Sequence, residues 1–522
     1  MRHDLLDTKL LQLTANDAFT LRDACQGILV TGGIGSGKTS GSGDTLAGAF
    51  LQMGMGGLVM AAKPEESEHW RALCQRHGRL DSLLEIDASG FHGYNFMIAE
   101  LLRQGIGGLN AVVEIIMQVL EIARLASASP GRGSEQFWQD TTRQVLRHTV
   151  PVLYAAFGRA TIEMILQFVR SAPQAPEQMR DPDWQRGSFF CESFARAAGQ
   201  MDDTTGARMV SYWQHDFSQL DPKTRGNIVI SLTTTLDRFN HGWLASMFCG
   251  QTSFVPELSM HGTILLLNLP ALTLNEDGII AQQLIKYLWQ RAILARNGLS
   301  PDQQERPVFL WADEAQYFIN SFDAEYLSTC RGSRACTVFL TQSLPTLYAR
   351  MGGENAHDRV HHLVGNFATR IWHSNACAET NEWAAKTIGR SLQTRANYSE
   401  GHGSNSNYGM NMGDGTSWGQ NWGSSHGSST SKQGSSYNST YSSGGSVGGN
   451  DSRGRNRGYG DSSNVSQGFS EQMDWALEPG AFGRILKTGG PANGKRVSAV
   501  WYQSGRRFAA SGSNALLVEF AQ

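Results

Sequence analysis

The apolar positions of this chain fall into short runs that are separated by longer stretches with helical spacing. Six runs are bounded by turn or polar residues, at positions 27–31, 58–62, 263–268, 308–312, 337–341 and 368–372. An apolar run of this length without alternation is typical of a strand that is buried on both faces, as in a parallel sheet. With helical patterns between the runs, the sequence predicts an α/β fold whose central, mostly parallel sheet is covered on both sides.

Helical periodicity is clearest at residues 109–126 and 277–296, where apolar side chains repeat at helical spacing. Between about residue 100 and residue 225 the strand signals fade. We therefore predict an inserted, all-helical domain over residues 105–225. The flanking residues 1–104 and 226–396 are predicted to form the two parts of one sheet-containing domain.

The composition changes abruptly near residue 399, since 45 of the 72 residues at 399–470 are Gly, Ser or Asn. Such a segment buries too little apolar surface to offset its ordering entropy, so a disordered linker is predicted over residues 397–470. It is either a tether or a segment whose aromatic side chains stack on bases or on copies of itself. Apolar runs at 497–502 and 515–520 predict strands of a small C-terminal module, residues 471–522.

Overall composition excludes several classes of protein. With 40% apolar and 17% charged residues, the chain is neither wholly disordered nor a simple coiled coil. The seven cysteines form no C-x-x-C pair, which argues against a disulfide framework or a zinc knuckle. No run of about 18 apolar residues predicts a transmembrane helix, and no export signal is evident, so we expect a cytoplasmic protein.

A complete phosphate-loop motif follows the first predicted strand. It reads Gly32, Gly33, Ile34, Gly35, Ser36, Gly37, Lys38 and Thr39, with Ser40 next. Glycines let backbone N–H groups wrap around a phosphate, and the helix beginning at about Lys38 points its positive end at it. We expect Lys38 to bridge the β- and γ-phosphates and the Thr39 hydroxyl to bind Mg²⁺. The alternative is a glycine-rich turn with a chance lysine.

A second acidic site is needed for hydrolysis, and the run at 308–312 ends in Asp313 and Glu314. Asp313 is predicted to hold Mg²⁺ and Glu314 to polarise the attacking water. Gln342, at the end of the next strand, is predicted to lie between water and γ-phosphate as a sensor. The alternatives are a solvated acidic turn and an ordinary surface glutamine.

An arginine is also expected at the transferring phosphoryl group, often from a neighbouring subunit. Arg331 is the first candidate and Arg334 the second; the alternative for each is a surface salt bridge. The 275-residue gap from Lys38 to Asp313 is much longer than in small kinases and GTPases. Neither an Asn-Lys-x-Asp guanine motif nor a Leu-Ser-Gly-Gly-Gln transporter motif occurs.

Several further passages, taken in order, resemble one known family. That family is the conjugative coupling ATPases of type IV secretion systems, the TraG/TraD-like group within the HerA/FtsK class of ring-forming DNA pumps. The similarity runs from about residue 15 to residue 395. The passages that carry it are residues 19–24, 39–43, 62–66, 94–96, 223–228, 267–270, 313–316, 341–343 and 381–383.

The resemblance implies a RecA-like phosphate-loop core that binds ATP and Mg²⁺ at the interfaces of a homo-hexameric ring. It implies that Arg331 reaches into the neighbour's site and that the helical insertion faces DNA or its attached relaxase. Well-known members carry N-terminal membrane helices, whereas none is predicted here. The protein is therefore expected to dock on a membrane partner at the inner membrane, or to be a relative with a different task.

The net charge of −3 gives no global attraction to DNA. The clearest local basic cluster is Arg453, Arg455 and Arg457, whose three charges contribute modestly. Two other functions remain open at this point. One is a HerA-like ATPase that serves a repair or defence nuclease, and the other is an adaptor that binds ATP only as a structural ligand.

Overall fold

The structure of the protein is a computed structural model. It describes residues 5–104, 107–127, 135–300, 304, 306–353, 355–409, 418–423, 430–431, 434–435, 444–449 and 456–522. Two compact units are present. One comprises Met1–Asn381 with Gly480–Gln522, and the other comprises Glu382–Pro479.

The strands, in chain order, are β1 (Lys9–Gln12), β2 (Ala18–Thr20), β3 (Ile28–Thr31), β4 (Gly56–Met60), β5 (Leu83–Asp87), β6 (Ile264–Asn268), β7 (Val308–Ala312), β8 (Ala335–Thr341), β9 (Thr369–Trp372), β10 (Arg390–Gly409), β11 (Trp418–Gly423), β12 (Thr430–Ser431), β13 (Gly434–Ser435), β14 (Gly444–Gly449), β15 (Asn456–Trp475), β16 (Arg496–Gln503) and β17 (Ala515–Ala521).

The α-helices are α1 (Leu21–Ala24), α2 (Asp44–Gln52), α3 (Pro64–Arg76), α4 (Phe96–Gln104), α5 (Gly108–Ala126), α6 (Glu135–Phe157), α7 (Ile162–Ser171), α8 (Pro182–Gly187), α9 (Phe189–Ala197), α10 (Asp203–Ser211), α11 (Pro222–Leu236), α12 (Gly242–Cys249), α13 (Ala271–Ala295), α14 (Phe322–Thr329), α15 (Leu344–Met351), α16 (Ala356–Gly365), α17 (Ala378–Ile388) and α18 (Ala481–Arg484).

A nine-stranded sheet forms the centre of the first unit, in the order β17-β16-β9-β3-β8-β7-β4-β6-β5. The seven strands from β9 to β5 are parallel. All six predicted apolar runs are strands of this sheet, which confirms the α/β prediction. Since β8 lies between β3 and β7, the ends of the phosphate-loop strand and the acidic strand are only two strand spacings apart, roughly 10 Å.

Apolar side chains fill the face of the sheet beneath α2 and α3. Phe50 of α2 and Trp70 of α3 are at most 4% exposed, and the Trp70 ring stacks 5.7 Å from the ring of Phe309 in β7. Burial of each such side chain contributes about 1.5–3 kcal/mol. Helix α13 covers the opposite face, where the Lys286 ammonium lies 5.9 Å from the ring of Phe339 in β8.

The connection from β5 to β6 is helical, as predicted, but it extends beyond the expected boundaries of 105 and 225. It begins with α4 at Phe96 and includes α11 and α12, which ends at Cys249. Helix α11 packs on α5, α6 and α7, so its apolar residues belong to the helical layer and not to the sheet.

Among the described residues, no single helix is long and apolar enough to cross a membrane. One bent pair of helices, Phe137–Phe157 and Ile162–Ser171, meets the length and composition criteria when the two are taken together.

The strands predicted for a separate C-terminal module belong to the central sheet. β16 pairs antiparallel with β9, and β17 extends the sheet by one strand. Val497 of β16 supports the phosphate loop, because a methyl group on Gly37 would lie 2.9 Å from its Cγ1 atom. The module prediction was wrong because strand pairing across a long insertion leaves no local pattern in the sequence.

The predicted linker contains regular pairing in its described parts. β10 and β15 form an antiparallel ladder from Arg390–Trp475 to Gly409–Asn456, so the prediction of disorder is corrected for residues 397–409 and 456–470. Ladder hydrogen bonds come from the backbone and need no apolar period. The prediction for most of residues 410–455, including Arg453 and Arg455, lies outside the described residues.

Candidate nucleotide-binding site

The phosphate loop connects β3 to a π-helical turn at Thr39–Gly43 that leads into α2. Gly35 and Gly37 have φ values of +70° and +79°, which glycine adopts without steric cost. Within the described chain, the backbone N–H groups of Gly35, Gly37 and Lys38 donate to no protein acceptor. Their free donors beside a lysine that is 9% exposed suit a phosphate group.

The remaining residues of the motif differ in exposure. Ser36 is buried and its hydroxyl oxygen has no hydrogen-bond partner among the described residues. Ile34 is 89% exposed at the tip of the loop. The Ser40 hydroxyl accepts a hydrogen bond from the Gln522 amide at 2.7 Å. The Ile34 side chain of the motif therefore faces solvent, whereas Ser36 is buried within the loop.

A histidine that the sequence analysis did not identify packs against the phosphate loop. His373 follows β9, and its Nε2 atom lies 2.7 Å from the Ser42 hydroxyl oxygen. Complete burial, together with the nearby Lys38 charge, lowers the pKa of His373 to about 3. The imidazole is therefore neutral, and the close approach of Gly32 to its Cβ atom leaves no room for a side chain there.

The two predicted Mg²⁺ ligands meet directly. The Thr39 hydroxyl donates a 2.7 Å hydrogen bond to Oδ2 of Asp313, and the Glu314 N–H donates to Oδ1 at 2.8 Å. Burial raises the pKa of Asp313, although the Lys38 charge and the Thr39 hydrogen bond oppose this effect. A hydroxyl and a carboxylate at this spacing are oxygen ligands that suit Mg²⁺ beside a bound phosphate.

Glu314 has φ +47° and ψ +48°, a left-handed conformation that costs a non-glycine residue roughly 1–2 kcal/mol. Side-chain hydrogen bonds hold its carboxylate in place. Oε2 accepts from the amides of Gln316 at 2.7 Å and Gln342 at 3.2 Å, while Oε1 accepts from Lys63 at 3.3 Å. Lys38 lies 3.9 Å from the same Oε1 atom.

Burial alone would raise the pKa of Glu314, but the Gln316 hydrogen bond and the Lys38 and Lys63 charges outweigh it. The net shift lowers the pKa of Glu314, so the carboxylate is ionised at neutral pH. The structure therefore brings Lys38 and Gln342 to the carboxylate that was predicted to be the base.

Two charged residues at the end of β4 were also missed. Lys63 contacts Glu314, and Glu66 accepts a 2.7 Å hydrogen bond from the Ala62 N–H. Burial, and then the negative charge of Asp313, raise the pKa of Glu66 to about 7. The only sequence signal was the passage 62–66 in the family resemblance, which assigned neither residue a role.

The two candidate arginines do not reach this site. Arg331 is exposed, and Arg334 follows it just before β8 begins, whereas the site lies beyond the other end of that strand. Seven residues of extended chain separate the two ends by roughly 20 Å. Within the described residues, the Arg331 side chain has no ion-pair partner.

Three comparisons bear on this arrangement. Residues 307–443 match the family model for the TraM recognition site of TraD and TraG. The bacterial conjugative coupling protein TrwB, in an unbound monoclinic crystal form, is 14% identical with a TM-score of 0.53, and the match covers 98% of this chain and 88% of that one.

The plasmid coupling protein TrwB in complex with the non-hydrolysable ATP analogue ADPNP is 16% identical with a TM-score of 0.47, covering 75% of this chain and 80% of that one. A comparison with curated protein sequences gave no match. The resemblance to TraG/TraD-like coupling proteins is thus confirmed by the family match at residues 307–443, and the fold is similar to that of TrwB.

Proposed function

We propose that the protein is an Mg²⁺-dependent ATPase that moves DNA, or a DNA–relaxase complex, in conjugative transfer. One observation carries the proposal. Lys38 and Thr39 contact the acidic pair Asp313 and Glu314, which lies 275 residues further along the chain. A triphosphate held by the loop would therefore lie next to a general base.

The binding step uses the loop itself. The N–H groups of Gly35, Gly37 and Lys38 face no protein acceptor among the described residues and would surround the β- and γ-phosphates. Thr39 and Asp313 would hold Mg²⁺, which when bound neutralises charge on the phosphate oxygens. TrwB has been solved with an ATP analogue and with ADP and Mg²⁺.

The chemical step requires a proton acceptor for the attacking water. The water oxygen attacks the γ-phosphorus, its proton passes to the Glu314 carboxylate, and ADP leaves with the bridging oxygen. Gln342, 3.2 Å from Glu314, would orient that water. Lys38, whose ammonium lies 3.9 Å from Oε1 of Glu314, would stabilise the negative charge that develops on the γ-phosphate.

Assembly and partners follow from the family likeness. We propose a homo-hexamer in which Arg331, remote from its own site, completes the site of a neighbour. Residues 307–443 match a region described for TraM recognition, which supports a partner of the DNA-processing complex bound through this part of the chain. We propose that the protein acts in the cytoplasm and reaches the inner membrane through partners.

The decisive experiment is an ATPase assay with and without DNA on the wild type and on Glu314→Gln. Because the amide cannot accept the proton, turnover should fall by about 10²–10⁴-fold while ATP binding persists. Glu519→Gln is the matched control, since that carboxylate pairs with Lys487 away from the site. Undiminished turnover in Glu314→Gln would refute the assigned base. Wild-type hydrolysis that stays near zero both with and without DNA would favour an adaptor.

A further inference from the structure

Two lysines converge on one oxygen of the proposed base. Lys63 donates to Oε1 of Glu314 at 3.3 Å, and Lys38 lies 3.9 Å from the same atom. The two side chains differ in exposure, at 44% for Lys63 and 10% for Lys38. Lys38 belongs to the phosphate loop, whereas Lys63 directly precedes α3 and its ammonium contacts the Glu314 carboxylate.

The backbone beneath Lys63 is fixed. The Gln282 side chain accepts from the Ala61 N–H at 3.0 Å and donates to the Ala61 carbonyl at 2.8 Å. The Ala62 carbonyl accepts from the Leu272 N–H at 3.1 Å. These contacts come from α13 and hold the backbone before Lys63, so we assign movement at this point of the site to the lysine side chain.

The other oxygen of Glu314, Oε2, accepts from the Gln316 and Gln342 amides. Gln316 donates to Oε2 and is 8% exposed. Its own oxygen accepts a 2.9 Å hydrogen bond from the Thr341 hydroxyl, which fixes its orientation. Oε1 accepts from Lys63 at 3.3 Å and also lies 3.4 Å from the Gln342 amide, which contacts both oxygens. A water that is to give its proton to Glu314 at Oε1 therefore meets the Lys63 ammonium.

We propose that Lys63 is a positioning residue that restrains Glu314 in the resting site, and that its withdrawal from Oε1 frees the base for proton transfer. The inference rests on the proposed ATPase function. An ammonium on a carboxylate oxygen both blocks the approach of water and makes the oxygen a weaker proton acceptor. Lys63 thereby keeps ATP hydrolysis low until a change in the site, such as DNA engagement, moves its side chain.

The test uses the full chain with Lys63→Met and Lys63→Arg, and with Lys487→Met as control. Lys487 is also 44% exposed and pairs with a carboxylate, Glu519, outside the site. Single-turnover ATP hydrolysis and ATP affinity are measured without DNA and then with DNA. We expect Lys63→Met to hydrolyse ATP about tenfold faster without DNA, the factor that one lost hydrogen bond to a charged group represents.

ATP affinity should stay within about twofold of wild type in Lys63→Met, and DNA should stimulate this variant less. Lys63→Arg should restore the low basal rate, and Lys487→Met should behave as wild type. Slower hydrolysis or weaker ATP binding in Lys63→Met would overturn the inference and make Lys63 a phosphate ligand, and an unchanged rate would overturn it as well. If the wild type hydrolyses no ATP with or without DNA, the proposed ATPase function itself fails. The other contrary outcomes overturn only the role of Lys63, so the two failures are distinguishable.

Discussion

The neutral imidazole of His373, next to the phosphate loop, predicts how the stability of the protein depends on pH. His373 is fully buried, and its pKa is lowered from 6.5 to about 3, by burial first and by the Lys38 charge second. The folded protein therefore binds no proton at this residue above about pH 3, whereas the unfolded chain binds one below 6.5. The contribution of His373 to the free energy of unfolding is therefore fully present above pH 6.5 and is lost as the pH falls towards 3.

The size of the effect follows from linkage. Each pH unit in this window costs about 1.4 kcal/mol, so lowering the pH from 6.5 to 5 removes about 2 kcal/mol of unfolding free energy. In His373→Gln an amide replaces the Nε2 atom that faces the Ser42 hydroxyl but does not titrate. We expect the free-energy difference between variant and wild type to shift by about 2 kcal/mol in favour of the variant between pH 7.5 and pH 5.

Urea denaturation at several pH values, followed by tryptophan fluorescence, measures this shift. Other titrating groups such as Glu66 and Asp313 are common to both proteins and cancel in the difference. His362→Gln, at an exposed histidine of α16, is the matched control and should leave the pH dependence as in wild type. Parallel curves for wild type and His373→Gln would refute the assignment of a buried, neutral imidazole.

Two further predictions concern a buried ion pair and the proposed hexamer. Lys286 and Asp323 are at most 1% exposed, and Nζ lies 2.5 Å from Oδ2. Because Lys286→Met leaves the carboxylate without its cation, it should lower the free energy of unfolding, measured by urea denaturation, by about 3–5 kcal/mol. Unchanged stability would contradict the pairing. Mixtures of inactive Arg331→Ala and Lys38→Ala subunits should regain part of the ATPase activity if the arginine acts across an interface, and no recovery at any ratio would count against it.

The central strands could be predicted because burial on both faces leaves a continuous apolar run. β7 is the clearest example, since all five residues of Val308–Ala312 are buried. β5 was missed because it lies at the edge of the sheet, where only Ile86 of Leu83–Asp87 is fully buried and Glu85 and Asp87 interrupt the run. The continuous apolar run therefore indicates a strand buried on both faces, and it is interrupted in a strand at the edge of the sheet.

The site was predictable where chemistry is encoded locally. The phosphate loop and the acidic pair each lie in one short passage, and parallel strands bring their ends to the same edge of the sheet. His373 and Lys63 could not be found in this way. His373 contacts Ser42 across 331 positions and Lys63 contacts Glu314 across 251, and neither lies in a motif that prescribes its role.

One helix connects these features. Gln282 and Lys286 lie four residues apart on α13 and therefore share a face. Gln282 fixes Ala61 in the loop before Lys63, while Lys286 donates to the Phe318 carbonyl at 2.6 Å in the loop after Glu314. One buried helix thus holds the backbone of the two loops on either side of the proposed base, Glu314. We therefore expect any switching of the proposed hydrolysis to act through side chains, and α13, which also packs on α5, connects the helical insertion to this site.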